Sequence, residues 1–482
     1  MTGGGGGDDK SAVFTTPHSW LRAGFYIFAI ALCIAVDIFQ YSMPLPFLPQ
    51  QLEGRGHSAA HIATTIGGYY WMGFVGGCMI TSYQIYRVLY KGVSRPTIVD
   101  IKKHLAYLII GLALGAVTLI LEGTHPRLYV HMFCRLTQGF LGAFLFFYAY
   151  LLSIELFVGH QQLIALTAST IALNVAEVFG PLLGASIFTA AGSSAAFHFL
   201  ACLSVVNQVA LLVVYFTLPD PGPAPVQEVM PVETPAARFA MGMGRLKHIL
   251  GSPELYKSII VVAPAALVKA GVEEILPFFA DHELAYTAMS VGMCFTIVAM
   301  AFICTSVLSS VMWTRYAWFR TWGVGLALGG LGMCAGGMIL SYKVMPTHAH
   351  GEAFFFTILG LYGCCLGFTM TPGAYFIGEF IDTLQDSASK DAANGIWNTM
   401  WEAGGSMGFV IASFPATSSW LQESMVLGAL GMAVMFAAAV FLVETLVTGR
   451  WSKTEESRLA EAALLAVDIK PGAIPPGYGA TA

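Results

Sequence analysis

The sequence predicts an all-α membrane protein, with twelve transmembrane helices arranged as two pseudo-symmetric six-helix bundles. Three observations carry that prediction: repeated apolar runs long enough to cross a bilayer, a proline-rich break at mid-chain, and basic residues gathered on one side of the runs. Of 482 residues, 56% are hydrophobic and only 11% charged, a balance foreign to soluble chains of this size.

A span needs about 20 mostly apolar residues. Twelve such runs lie at 24–48, 62–86, 104–122, 128–152, 162–189, 195–217, 257–280, 286–311, 320–342, 354–381, 393–414 and 424–447. Lys and Arg resist translocation and collect in cytoplasmic loops. Of the 23 basic residues, eighteen fall in the two tails and the loops on their side, from Lys10 and Arg22 to Lys470. Only Arg55, Arg127 and Lys343 fall on the opposite side, and Arg135 and Lys269 lie inside spans. The split predicts a multi-pass protein of the plasma or a vesicle membrane with both termini cytoplasmic. The Gly-rich start lacks the order of a cleaved signal, so the first span is the expected insertion signal.

The middle of the chain places six prolines between Pro219 and Pro235, a linker composition, followed by a basic amphipathic stretch at 236–250 suited to the membrane surface. The expected domains are therefore a flexible tail at 1–23, a six-helix bundle at 24–217, a linker with its amphipathic helix at 218–256, a second bundle at 257–447 and a tail at 448–482. The bundles echo each other at the ends of their first helices, "PLPFLPQQL" at 44–52 and "ILPFFADHEL" at 275–284. Duplicated bundles rocking about a midplane site are the usual build of secondary transporters.

Other function classes find little support. All nine cysteines fall in predicted spans, leaving no disulfide framework and no metal-ligand spacing. No nucleophile elbow or phosphate loop occurs, so neither an enzyme nor a cofactor is expected. A net charge of −5 without a basic patch points away from nucleic acid. The expected partners are a small cationic substrate, protons and the bilayer, with the chain acting as a monomer.

Ionisable groups at membrane depth carry the functional reading. Asp37, Glu177, Glu273, Glu274 and Glu402 are acids inside spans, against the bases Arg135 and Lys269. A charge held at the bilayer centre costs about 2.5–3.5 kcal/mol on insertion scales. Such acids are tolerated where they face a watery cavity, and an acid neutralised in turn by a proton and by an organic ammonium is the core of a proton/cation exchanger. Asp37 is followed by Pro44, Pro46 and Pro49, which are expected to distort the first helix at a gate. Aromatic faces attract ammonium groups, and Tyr41, Trp397 and Trp401 stand four, five and one residues from Asp37 or Glu402.

Several of these residues have a plainer structural reading. Lys269 and Glu273 are one helical turn apart and suited to neutralise each other, leaving Glu274 or Asp37 for substrate. Arg135 with Gln138 suits a hydrogen-bond anchor as well as proton coupling. Glu177 with Asn174 suits an interhelical clasp. Glu155, Glu379 and Asp382, at the cytoplasmic ends of spans 4 and 10, suit gating salt bridges or solvation.

Two motifs then point to a family. "CRLTQG" at 134–139 resembles the Arg-x-x-Gln-Gly signature of the major facilitator superfamily, and "FGPLLGAS" at 179–186, with Gly180, Pro181 and Gly184, resembles the Gly-Pro-x-x-Gly motif of its drug and amine antiporters. Gly-Pro removes one helical hydrogen bond and lets a neighbour approach closely. Within the superfamily the chain is most similar to the vesicular amine and polyamine transporter branch, across all twelve helices. That resemblance implies substrate contact for Asp37 and for Glu273 of "VEEILPFF", and proton coupling for Glu402 of "GIWNTMWEAGGSMGF". The chain departs from the branch at Met370, where a carboxylate is usual, and in span 2, which has no lysine. Lys269 is the candidate replacement partner of Glu402. It departs also at "ITSYQIYRVLYKGVSRP", which stands where the loop motif would.

The expectation is proton-coupled antiport of an organic cation such as a polyamine, amine or cationic drug. A facilitative or proton-coupled carrier of a sugar or organic acid would keep the same fold. It would favour an amide-rich or Arg-rich cavity, whereas the chain has four Asn and two bases inside spans. A sensor or scaffold that no longer transports would keep only the shape.

Overall fold

The computed structural model describes residues 17–91, 98–157, 160–218, 234–344, 348–384, 387–413 and 420–448. Most of both predicted tails, linker residues 219–233, several short loops and the side chain of Asp382 lie outside the described residues. Thirteen α-helices follow: α1 Pro17–Ser42, α2 Leu48–Glu53, α3 Ala59–Tyr86, α4 Ile98–Thr124, α5 Leu128–Glu155, α6 His160–Thr217, α7 Pro235–Leu250, α8 Pro253–His282, α9 Ala288–Arg315, α10 Val324–Val344, α11 His348–Thr383, α12 Ser387–Ser413 and α13 Trp420–Thr448. Short π-helical turns at Arg87–Lys91 and Phe319–Gly323 extend α3 and lead into α10.

These helices reproduce the predicted spans with two local differences. Spans 5 and 6 are the two helices of α6, which meet at a kink at Gly192 in place of a longer loop; its φ of 80° and ψ of 173° lie outside the helical region, and that φ is open to glycine but strained for other residues. The predicted first span, 24–48, instead ends at Ser42, where Pro44 and Pro46 deny the backbone donors a helix needs, and the chain re-enters a helical turn as α2 with Pro49 in its first turn. Helix starts elsewhere follow capping chemistry. Thr234 caps α7 and Ser252 caps α8, each before a proline, and their hydroxyls accept from Ala237 N and Leu255 N, both at 3.3 Å.

Two halves are evident in the packing. α1, α3, α4, α5 and α6 pack on one another, with α1 against α6, α3 against α5 and α4 against both α5 and α6. α8 through α13 do likewise, α10 against α11 and α13, α9 against α11, and α8 against α11, α12 and α13. Two seams join the halves: α3 against α12, and α6 against α9. The amphipathic α7 lies against the π turn after α3 and marks one end of the bundle, called the linker face here; α2 and the ends of α1 and α8 mark the far face.

Seven helices, α1, α4, α5, α6, α9, α11 and α13, are long and apolar enough to cross a membrane by length and composition. Their outer surfaces are apolar too: Ile110, Leu114 and Val117 of α4 and Met425, Met432 and Phe436 of α13 are exposed in stripes at helical spacing, as a lipid solvent requires. α3 and α12 meet along the first seam, where small and polar residues let backbones approach. A methyl group at Gly77 would stand 3.4 Å from Thr399 Oγ1, and one at Gly395 would stand 2.9 Å from Thr81 Oγ1.

Candidate transport site

The seam places four acids of the predicted set near one another, from helices far apart in sequence. Asp37, buried in α1, accepts a hydrogen bond from the Tyr69 hydroxyl of α3 at 2.9 Å. Room for that pair comes from Gly142 of α5, where a methyl group would stand 2.7 Å from Asp37 Oδ1 and 2.8 Å from the Tyr69 hydroxyl. One helical turn on, Tyr41 stacks obliquely against Tyr69 with ring centroids 5.2 Å apart, and its hydroxyl donates to Glu273 Oε2 of α8. Glu273 Oε1 also holds Lys269 Nζ at 2.8 Å, and Lys269 reaches Glu177 Oε1 of α6 at 3.2 Å. The ammonium sits over the Tyr41 ring, 5.8 Å from its centroid.

Glu402 of α12 is half-buried against α3, where a methyl group at Gly73 would stand 3.0 Å from its Oε2. Among the described residues, neither Asp37 nor Glu402 forms an ion pair with a cation. Lys269 therefore directs its ion pairs to Glu273 and Glu177, not to Glu402 as the span-2 departure suggested. Glu177 of α6 takes the same lysine of α8, an interhelical polar contact.

Other predicted residues have different surroundings. Glu274 is buried, and neither of its carboxylate oxygens has a hydrogen-bond partner. Trp397 packs against the apolar cluster of Val88, Ile249, Leu255 and Ile377 toward the linker face, its indole N–H buried without a partner. That places it with the packing of that face and not with the Asp37 locus. Trp401 is half-buried. Gly180 and Gly184 bring α6 against Ser42 at the end of α1 and Met43 just after it, and the Pro181 carbonyl faces Gly292 of α9, where a methyl group would stand 3.0 Å away. The motif thus sits in the α6–α9 seam. Glu155 bonds His104 Nδ1 at 2.8 Å, and Glu379 accepts from Trp313 Nε1 at 3.3 Å, with Arg320 at 4.0 Å.

Arg135 lies in a buried network beside the site. Its Nε and Nη2 donate to the two Glu122 oxygens at 3.1 and 3.4 Å, and Nη1 donates to the Gln40 carbonyl at 2.6 Å. Gln138 Nε2 donates to Glu122 Oε2 at 2.8 Å and to Thr118 at 3.1 Å, and His131, wholly buried, lies 3.5 Å from Glu122. Sequence reasoning missed Glu122 and His131. Glu122 closes predicted span 3, thirteen residues before Arg135, so it reads as a terminal residue at the membrane edge. A narrow cavity lined by Tyr41, Pro44, Leu45, Leu48, Ile66, Tyr69 and Arg135 runs from the aromatic pair toward the far face.

Both ends of the seam are bridged. At the linker face Arg87 pairs with Asp391 at 2.9 Å and Thr81 meets Thr399 at 2.8 Å. At the far face Gln50 donates to Asp281 at 3.1 Å and His282 meets Glu53 at 3.0 Å.

A helical bundle with inward acids and closures at both ends is what alternating access requires. A family model described as Major Facilitator Superfamily matches residues 30–409. The chain belongs to the major facilitator superfamily. Among solved structures, a bacterial homolog to the human lysosomal transporter Spinster, in an inward-facing and unoccupied conformation, matches 87% of this chain and 95% of that one with a TM-score of 0.58. At 10% identity the likeness is one of fold. No curated protein matches the sequence. As a major facilitator protein the chain is a multi-pass membrane transporter working by alternating access, not an enzyme.

Proposed function

We propose that the protein exchanges protons for an organic cation, an amine, polyamine or cationic drug, by rocking the bundles 24–217 and 257–447 about the Asp37 site. The observation that carries this reading is a buried carboxylate, Asp37, aimed by Tyr69, with no ion-paired cation among the described residues. A buried carboxylate needs a counter-charge or a proton, because an isolated ion in a dry site is strongly disfavoured. Cargo ammonium and proton then compete for the same oxygens, and binding of one releases the other. Tyr41 and Tyr69 supply aromatic faces beside the carboxylate.

The driving force is sufficient, since one pH unit supplies about 1.4 kcal/mol and 100 mV about 2.3 kcal/mol per charge. The resemblance of Asp37, Glu273 and Glu402 to the acids of the vesicular amine and polyamine branch supports the same reading. The basic-residue split supports cytoplasmic tails and a cytoplasmic linker face. A carrier of organic anions finds less support, because the guanidinium of Arg135 is already held by Glu122 and the Gln40 carbonyl.

The test is purified protein in liposomes under an imposed pH gradient, screened against monoamines, polyamines, lipophilic cations, sugars and organic anions. Substrate-dependent proton release by an organic cation, lost in Asp37→Asn while the variant still folds, is the expected result. Uptake by Asp37→Asn equal to the parent removes Asp37 from the mechanism, and proton flux with sugars or anions alone overturns the cation reading.

A further inference from the structure

We propose that Lys269 stands in for one cargo ammonium, so that the site takes cations with a single charged head and excludes diamines. The inference rests on the exchange reading above and narrows its cargo.

Two acidic loci share one aromatic pair. The first is Asp37, bonded to Tyr69; the second is Glu273, bonded to Tyr41, with Glu177 across Lys269 from it. The rings of Tyr41 and Tyr69 lie between them, 5.2 Å apart. Lys269 fills the second locus as a bound amine would, with carboxylates at 2.8 and 3.2 Å and the Tyr41 face at 5.8 Å. Two charge-assisted hydrogen bonds plus an aromatic face are the recognition set of an organic ammonium. The lysine is tethered to the same helix as Glu273, one turn before it, so it competes at an effective concentration that free cargo does not match.

The consequence is selective. A monoamine placed at Asp37 leaves the Lys269 pairs intact and meets a complementary site. A diamine of matching length brings its second head to a locus whose two carboxylates already hold Lys269, where it must displace the tethered lysine or lie against its charge. Each outcome costs affinity, because an uncompensated charge at depth is expensive. The lysine also links the halves, since Glu177 is on α6 and Glu273 on α8. Its locus is therefore reformed at each closure without cargo having to fill it.

The experiment measures binding of n-hexylamine and 1,6-diaminohexane, equal in length and differing in one head, to the purified full chain and to Lys269→Met. The parent is expected to prefer the monoamine by about tenfold or more, a difference of about 1.4 kcal/mol. Lys269→Met is expected to raise the ratio of diamine to monoamine affinity by about tenfold. Should Lys269→Met fail to fold for want of a counter-charge, Lys269→Met with Glu177→Gln removes one acid with the base and keeps Glu273 for the second head; the same rise in ratio is expected. Adding Glu273→Gln to the variant that already carries Lys269→Met and Glu177→Gln, which leaves the locus without an acid, is expected to cancel the gain. A parent that binds the diamine as tightly as the monoamine, or variants whose ratio does not move, overturns the role of Lys269 while leaving cation exchange standing. A parent that binds neither amine and exchanges protons for no cation overturns both readings.

Discussion

Gln50 and Asp281 occupy the same place in the two echoing segments, the fifth residue after Leu45 and after Leu276, and they hydrogen-bond each other at 3.1 Å. Equivalent positions of a duplicated unit can touch only at the axis that relates the copies, so this contact puts the pseudo-symmetry axis at the far-face closure. Gln50 Nε2 also reaches the Tyr286 carbonyl at 3.2 Å, and Glu53 with His282 adds a second bridge nearby. Both bridges join α2 to α8 and must part for that face to open.

Cross-linking follows from that geometry. Gln50→Cys with Asp281→Cys, joined by a short thiol reagent, is expected to stop uptake almost completely, and a cleavable reagent should allow recovery on reduction. Single replacements treated identically control for the nine native cysteines, none of which is disulfide-bonded. Uninterrupted transport in the linked double variant would show that the far face need not separate there.

The opposite closure rests on charge. Arg87 and Asp391 are half-buried and buried, 2.9 Å apart, and Arg87 also reaches Gln84 at 2.9 Å. Asp391→Asn is expected to weaken this closure by about 1–3 kcal/mol, between the values for exposed and fully buried pairs. Accessibility of a reporter thiol near Thr81 should rise accordingly. Exchanging the charges, Arg87→Asp with Asp391→Arg, should restore part of the loss. A double-mutant cycle without coupling would assign the closure to Thr81, Thr399 and the apolar contacts around Val88.

How much of this was legible in the sequence depends on range. The spans, the linker helix and the cap residues are local, and the apolar runs with Thr234–Pro235 and Ser252–Pro253 announce them. The Lys269–Glu273 pair is one helical turn and equally visible. Glu177 with Lys269, Tyr41 with Glu273 and Arg87 with Asp391 are joined only by the packing of the two halves, and no periodicity in one chain pairs them. Trp397 shows the limit of spacing: its place near Glu402 in sequence suggested a cargo-binding face, yet the bundle puts it in the cluster toward the linker face. The end of span 5 and the start of span 6 are legible as two apolar runs, but that a single residue, Gly192, makes the turn between them is not, because its non-helical backbone is set by the packing of the two helices.

Gly142 gives a steric test of the Asp37 site without touching a charge. An added methyl group falls within 2.8 Å of the Tyr69 hydroxyl and within 2.7 Å of Asp37 Oδ1, well inside van der Waals contact, so Gly142→Ala must push the pair apart. The expected outcome is a fall of about tenfold or more in cation affinity, together with a destabilisation of about 1–3 kcal/mol from overpacking. Gly115→Ala is the comparison, since its methyl group would meet Gln40 Nε2 at a comfortable 3.4 Å. Equal affinities for the two variants would mean that the Asp37–Tyr69 bond has no part in binding.

Arg135 and Glu122 provide the last prediction, and it separates scaffold from proton relay. Both are buried, and Glu122 receives Arg135, Gln138 and the neighbourhood of His131 together. Removing one partner of such a pair strands the other, at a cost of about 3–5 kcal/mol. Glu122→Gln keeps the acceptor for one donor and loses the charge, so it should lower the melting temperature markedly, and Arg135→Met with Glu122→Met should recover much of that loss by removing both charges. If the network only anchors the bundle, the double variant also regains cation-driven proton release in liposomes. If Glu122 takes up and releases the coupling proton under the influence of the Arg135 charge, beside the cavity that Arg135 lines with Tyr41 and Tyr69, stability returns while proton release stays lost. Measuring melting temperature and proton release on the same preparation distinguishes the two, because folding and coupling then part company in a single variant.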